Sequence, residues 1–247
     1  MRPVLFEIAD FPIYSYGFTI FIAFLLAIFL AQRAAPAAGF KKDHVFDVAI
    51  MTIILAIIGS RIFFVALYWD YFSQNPFEIF AVRQGGLSFY GGFLAPLIGG
   101  FFYARKKKIS MLAFLDFISP YVALGYSITR IGCFLNGCCY GVPTDSFLGV
   151  VFPTADHLAR HPTQLYSTAA MLVVFVLVLL IQKKPRPRGV VFFSFIFLYG
   201  IYSFVVEFFR LSPAGYWGLN LSQNAIIPVM VIALAFIFFR TRIEKSS

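Results

Sequence analysis

The stretch GYSITRIGCFLNGCCYG, residues 125–141, decides how this chain is read. It closes an apolar run with one arginine, one asparagine, three cysteines and a frame of glycines. Arg130 is expected where the hydrophobic segment gives way to a Gly-rich turn. A permanent charge is costly at such a place in a membrane segment, so the position marks a functional site by default. The other informative polar residues fall at the same expected end of their own segments.

The composition sets the class. Of 247 residues, 60% are apolar and only 13% charged, against about 25% charged in ordinary globular proteins. The mean hydropathy is +0.84, and 33 phenylalanines suit side chains facing lipid. The net charge of +9 does not point to nucleic acid, because the basic residues sit in short clusters between apolar runs. That pattern marks membrane topology rather than a phosphate-binding stripe. Three cysteines within seven positions are not the disulfide framework of a small secreted domain.

Seven apolar runs are predicted to span a bilayer, at about 11–31, 45–69, 87–103, 111–129, 165–182, 189–209 and 225–239. The last is short unless it starts near Leu221, since a span needs about 20 residues. The first is not read as a signal peptide, because Arg33, Lys41 and Lys42 follow it instead of preceding it. The third is rich in glycine, which permits close helix approach or irregular backbone beside a cavity. Clusters of Arg and Lys follow every odd-numbered run: Arg33, Lys41 and Lys42; Arg105 to Lys108; Lys183, Lys184, Arg186 and Arg188; Arg240, Arg242 and Lys245. The positive-inside rule then places the N-terminus outside and the C-terminus in the cytoplasm. The expected fold is an all-α polytopic membrane protein, a single seven-helix transmembrane domain over residues 1–247 with outer-face loops at 70–86 and 141–163. Residues 72–82 are expected to form an amphipathic helix on the outer surface. Tyr16, Arg61, Gln84, Tyr90, Arg130, the cysteines, His161, Glu207 and Arg210 then share one depth, which predicts a single lipid-facing site.

Arg130 and Arg61 can be read as snorkelling or capping side chains. An arginine within a span also needs an acid, a carbonyl or a phosphate. Acids are scarce in the later spans, where only Asp116 and Glu207 occur, and Asp116 falls at the opposite end. A phospholipid phosphate matches the guanidinium fork. Cys133, Cys138 and Cys139 are open to several readings: small buried apolar residues, a disulfide on an oxidising outer face, or a thiolate activated by nearby cations. A metal site with His161 is a further reading, although the spacing fits no common zinc signature; no metal is assigned. His161, in HPTQLY, is either a structural group at a helix entry or a site residue at the depth of Arg130. Tyr90 is either an interfacial aromatic or a site residue whose frame, Gly91 included, lets backbone approach a ligand.

Taken together these motifs resemble the bacterial prolipoprotein diacylglyceryl transferase family. Its signature G-R-x-G-N-F-x-N-x-E-x-x-G is spaced like residues 129–141 here. Further likeness lies in Tyr16-Gly17, Gly59-Ser60-Arg61, GGLSFYGG, Asp116 with Pro120, HPTQLY and VEFFR, so it covers essentially the whole chain. The resemblance implies seven helices with the N-terminus outside, in the bacterial cytoplasmic (inner) membrane. It implies transfer of the diacylglyceryl group of phosphatidylglycerol to the lipobox cysteine of a prolipoprotein signal peptide, with no cofactor.

On that resemblance Arg130 stabilises the phosphate, with Arg61 and Arg210 in support. Tyr16, Asn136, Gly137, Cys133 and Gly91 shape the substrate site, and Tyr90, His161, Cys138 and Glu207 are candidates for the catalytic groups. The chain also departs from the family pattern. Cys133 and Cys138 stand for the signature Asn and Glu, Tyr90 for a histidine, Ser167 for a glutamate and Ser203 for an arginine. The alternatives are a related phospholipid-dependent transferase with another acceptor, working through a cysteine intermediate, and a non-catalytic lipid-binding or redox/metal membrane protein.

Overall fold

The computed structural model describes residues 1–9, 11–81, 85–153 and 155–246. The protein is mostly helical and divides into two compact units, residues 32–114 and residues 1–31 with 115–247. Arg83 and Gln84 lie outside the described residues.

The chain starts with a hairpin, not with the first expected helix. Strand β1 (Val4–Ile8) pairs antiparallel with β2 (Phe11–Tyr14). Helix α1 (Ser15–Ala34) begins only after it, where the Ser15 amide donates to the Pro3 carbonyl at 2.8 Å. Residues 11–14 read as the start of an apolar span, but they alternate across a two-stranded ribbon, and Pro12 has no amide to donate.

In the larger unit, α1 is followed by α5 (Met111–Asn136), which runs on from the other unit, then by α6 (Thr163–Gln182), α7 (Val190–Val206) and α8 (Leu221–Ser246). The core lies between α5, α6 and α7, around Ala123, Met171, Val174, Val178, Phe195 and Tyr202. Asp116 on α5 accepts from the Gly189 and Phe192 amides at 2.6 and 2.7 Å. It thus caps the N-terminus of α7, a structural use of an acid that apolar surroundings would otherwise exclude. Gly200 lets α8 close on α7, since a Cβ there would lie 2.3 Å from Met230 Cγ.

The other unit is built on α2 (Lys42–Leu67) and α4 (Phe89–Lys107). Gly91, Ala95 and Gly99 form a small-residue stripe on α4, and α2 answers with Gly59 and Leu55. Small residues at four-residue spacing let helix backbones approach without a hydrophobic driving force. Where a single amphipathic helix was expected over residues 72–82, the chain makes α3 (Trp69–Gln74) and then a 3-10 helix (Pro76–Phe80). Pro76 disfavours helix at the residue before it, so the segment breaks at Asn75. Val82 lies outside the described residues.

Among the described residues, six helices are long and apolar enough to cross a membrane: α1, α2, α5, α6, α7 with its 3-10 extension to Phe209, and α8. Helix α4 occupies the third expected run, but its glycines and terminal Arg105, Lys106 and Lys107 lower its hydropathy. Much of the apolar surface of the six faces outward, as lipid-exposed helices require.

Candidate active site

The signature segment is helical for longer than its glycines suggested. Helix α5 continues to Asn136, so Arg130 sits inside the helix, not at its junction with a turn. The turn comes at Gly137, with φ of +74°. The Gly137 amide donates to the Phe134 carbonyl at 3.1 Å and the Cys138 amide to the Cys133 carbonyl at 3.2 Å. This pair of bonds is a Schellman motif, which brings the side chains of Cys133 and Cys138 side by side. The exit loop is then pinned to the start of α6. Thr163 Oγ1 donates to the Cys139 carbonyl at 2.7 Å, and Gln164 Nε2 to the Cys138 carbonyl at 2.5 Å. Gly132 is needed where α5 meets α1, because a Cβ there would collide with Thr19 Oγ1.

Arg130 donates to Tyr126 Oη one turn earlier, and its guanidinium lies 4.8 Å from the Tyr126 ring centre. From there a chain of hydroxyls runs inward. Tyr126 Oη is 3.2 Å from Tyr202 Oη, Tyr202 donates to Ser167 Oγ at 2.6 Å, and Ser167 donates to the Thr163 carbonyl at 2.7 Å. Because Tyr202 and Ser167 each donate onward, Tyr126 donates to Tyr202 and presents its lone pair to Arg130. Tyr199 packs edge-on against Tyr126. Among the described residues Arg130 has no carboxylate partner; the ion pairs are Arg160–Asp156 and Arg210–Glu207. The sequence reading missed Tyr126, Tyr199 and Tyr202. Their signal was the four-residue spacing of Tyr126 and Arg130, which puts both on one helix face.

The three thiols converge, with all Sγ atoms within 4.8 Å of one another and those of Cys138 and Cys139 3.2 Å apart. Tyr16 on α1 lies near the three thiols and Arg130. Cys133 is buried, with its Sγ within 4.8 Å of those of Cys138 and Cys139. Burial and then a hydrogen bond with Cys139 push the Cys138 thiol up. A hydrogen bond with Cys133 and then burial push Cys139 up further. Both shifts favour the protonated thiol, so a catalytic Cys138 needs a base to take its proton. Alkylation of Cys139 by iodoacetamide, followed by mass, is expected to keep rising through the pH range where an ordinary thiol levels off above about 8.5. A plateau reached near neutral pH would show an activated thiolate instead.

His161 lies in a short pairing of residues 141–142 with 161, where the Gly141 amide donates to its carbonyl at 2.8 Å. Its Nδ1 is 3.0 Å from Tyr166 Oη, and Phe209 packs edge-on against the ring at 5.0 Å. Glu207 is buried and receives Arg210 Nη1 at 3.2 Å, Asn220 Nδ2 at 3.2 Å and the Ser212 hydroxyl. These bonds tie down the segment between α7 and α8, and Arg210 is the counter-ion of Glu207.

In the unit built on α2 and α4, Arg61 was expected to meet phosphate, yet it is 8% exposed and spends its donors on backbone. It bonds the carbonyls of Ile79, Glu78, Gly85 and Gly86, and stacks over Phe72 at 5.2 Å. It clamps the loop that leads into α4. Gly91 packs α4 against α2, where the Gly59 carbonyl occupies the space a side chain would need. Tyr90, in the first turn of α4, is 65% exposed and touches Phe63 at 6.0 Å between ring centres.

The chain matches the family described as prolipoprotein diacylglyceryl transferase over residues 3–239. It belongs to that family. Among its relatives, the phosphatidylglycerol–prolipoprotein diacylglyceryl transferase of Nitrosomonas europaea is 37% identical, covering 98% of this chain and 91% of the relative. The same-named protein of Geobacter sulfurreducens is 35% identical over 94% and 92%, and that of Clostridium tetani 35% over 99% and 100%. In this transferase scaffold, the positions where the family resemblance led one to expect Asn and Glu are two of the three clustered thiols. Ser167, where a glutamate was expected, closes the hydroxyl chain that begins at Arg130.

Proposed function

We infer that this chain transfers the diacylglyceryl group of phosphatidylglycerol to the lipobox cysteine of prolipoprotein signal peptides, at the outer face of the bacterial cytoplasmic membrane. The observation that carries the reading is Arg130: a charge inside an apolar helix, bound on one side by Tyr126 and with no carboxylate partner among the described residues. In the reaction the acceptor thiol loses its proton and its sulfur attacks the glycerol carbon that carries the phosphate. The carbon–oxygen bond breaks, a thioether forms, and glycerol phosphate leaves with the electron pair. Negative charge grows on the leaving phosphate, where a fixed guanidinium acts most strongly.

The proton needs an acceptor. His161 is the group best placed for this: with its proton on Nδ1, donated to Tyr166 Oη, the Nε2 lone pair is free. Tyr16, near Arg130 and the thiols, is assigned to substrate binding with Asn136 and Gly137. Tyr90 offers an exposed aromatic surface for lipid or signal peptide.

Seven spans complete the reading, with α4 as the glycine-rich third, about 28 Å long at 1.5 Å per residue. Basic residues at the C-terminal ends of α1, α4, α6 and α8 then face the cytoplasm, and residues 70–86 and 141–163 lie outside. The test is complementation of a bacterium depleted of its own transferase, with prolipoprotein mass as the readout. A gain of one diacylglyceryl group on a wild-type lipobox, and none on a Cys→Ser lipobox, is the expected result. Unmodified prolipoprotein, from cells whose membranes contain the folded chain, would move the activity to another acceptor.

A further inference from the structure

We propose that Cys133, Cys138 and Cys139 form a three-thiolate binding site for a soft cation of the Cu(I) type. Their Sγ atoms already lie within 4.8 Å of one another, with one pair at 3.2 Å. A trigonal site with metal–sulfur bonds of about 2.3 Å sets sulfur–sulfur separations of roughly 4 Å, so the cluster is near the required size.

The backbone holds this geometry independently of any hydrogen bond between the thiols. The Schellman motif at Gly137 sets Cys138 against Cys133. Cys139 has φ of +67°, a conformation uncommon for a residue with a side chain. Gln164 and Thr163, exposed by 1% and 2%, hold the carbonyls on either side of that strained residue. Strain that persists because its surroundings enforce it is a mark of a built site. Here it turns the third sulfur toward the other two.

The donor set selects the ion. Thiolates favour soft ions such as Cu(I), and structural zinc sites want four protein ligands. Among the described residues the cluster contains three cysteines and no histidine or carboxylate. On binding, three thiol protons pass to solvent and three sulfur–metal bonds form with no change in oxidation state. The resulting cluster carries a net charge of about −2, and the positive charge of Arg130 acts on Cys133 and Cys139 from nearby. Cys139 is exposed, so the ion has a way in.

The experiment uses the full chain in detergent, reduced, metal-free and under anaerobic conditions, titrated with Cu(I) against a coloured Cu(I) chelator. The wild type is expected to withhold one Cu(I) per chain and to protect all three thiols from maleimide, as mapped by mass. Each of Cys133→Ser, Cys138→Ser and Cys139→Ser is expected to weaken retention at least tenfold, and the triple variant to abolish it. No retention by the wild type would overturn the proposal. So would undiminished retention by the triple variant, or protection confined to two of the thiols. The maleimide map needs only the wild type, so it decides even if a variant fails to fold. Binding is read directly, so the result stands apart from the transferase reading.

Discussion

An Arg130→Ala substitution is expected to lower diacylglyceryl transfer by about 10²- to 10³-fold, the usual loss when one preorganised donor to a developing anion is removed. The protein should still accumulate in the membrane, because Arg130 bonds a tyrosine hydroxyl and supports no ion pair among the described residues. The loss should fall mainly on kcat, since the charge on the phosphate grows as the carbon–oxygen bond breaks. Arg130→Lys should recover only part of the rate, because an ammonium cannot present two parallel donors to a phosphate. Tyr126→Phe removes the hydroxyl that holds the guanidinium and detaches it from Tyr202 and Ser167. Its effect should be smaller, about tenfold, and Tyr126→Phe should add little to Arg130→Ala when the two are combined. Initial rates on a lipobox peptide in phosphatidylglycerol micelles measure all of this. An Arg130→Ala enzyme within threefold of wild type would remove Arg130 from the reaction.

The contrast among Arg130, Arg61 and Arg210 shows which parts of the site were legible in the sequence. Apolar runs and basic clusters located the helices, because lipid imposes length and composition on any segment that crosses it. The same information marked three arginines as costly and therefore used. It could not say what they were used for. The carbonyls of Glu78, Ile79, Gly85 and Gly86 satisfy Arg61, and backbone carbonyls are the same in every sequence. Arg210 meets Glu207 three residues away, a pairing that helical spacing allowed but did not require. The hairpin at residues 4–14 was lost for a related reason: strand pairing depends on a partner, while a hydropathy window sees only one segment. The end of α5 was misplaced because Gly132 reads as a turn signal. Its actual use is the close contact with Thr19 on α1.

Gly91→Leu is expected to prevent stable accumulation of the protein, and Gly91→Ala to destabilise it by about 3 kcal/mol, the upper part of the range for overpacked cores. A Cβ at Gly91 would stand 2.0 Å from the Gly59 carbonyl oxygen and 2.6 Å from Phe63 Cβ. The obstacle is backbone, so no rotamer change relieves it, and α4 would have to move away from α2. That movement would also disturb Ala95 against Gly59 and Gly99 against Leu55 along the same stripe. Gly92→Ala is the matched control: its Cβ would meet Ser60 Cβ at 3.4 Å, so it should be nearly neutral. Thermal unfolding of purified Gly91→Ala and Gly92→Ala proteins in one detergent measures the difference. Were Gly91 instead a place where substrate approaches the backbone, Gly91→Ala would leave unfolding unchanged and raise KM for phosphatidylglycerol. Unequal unfolding of two neighbouring alanines places the requirement for glycine in the joint between α2 and α4, where the sequence alone gave no means of choosing between packing and binding.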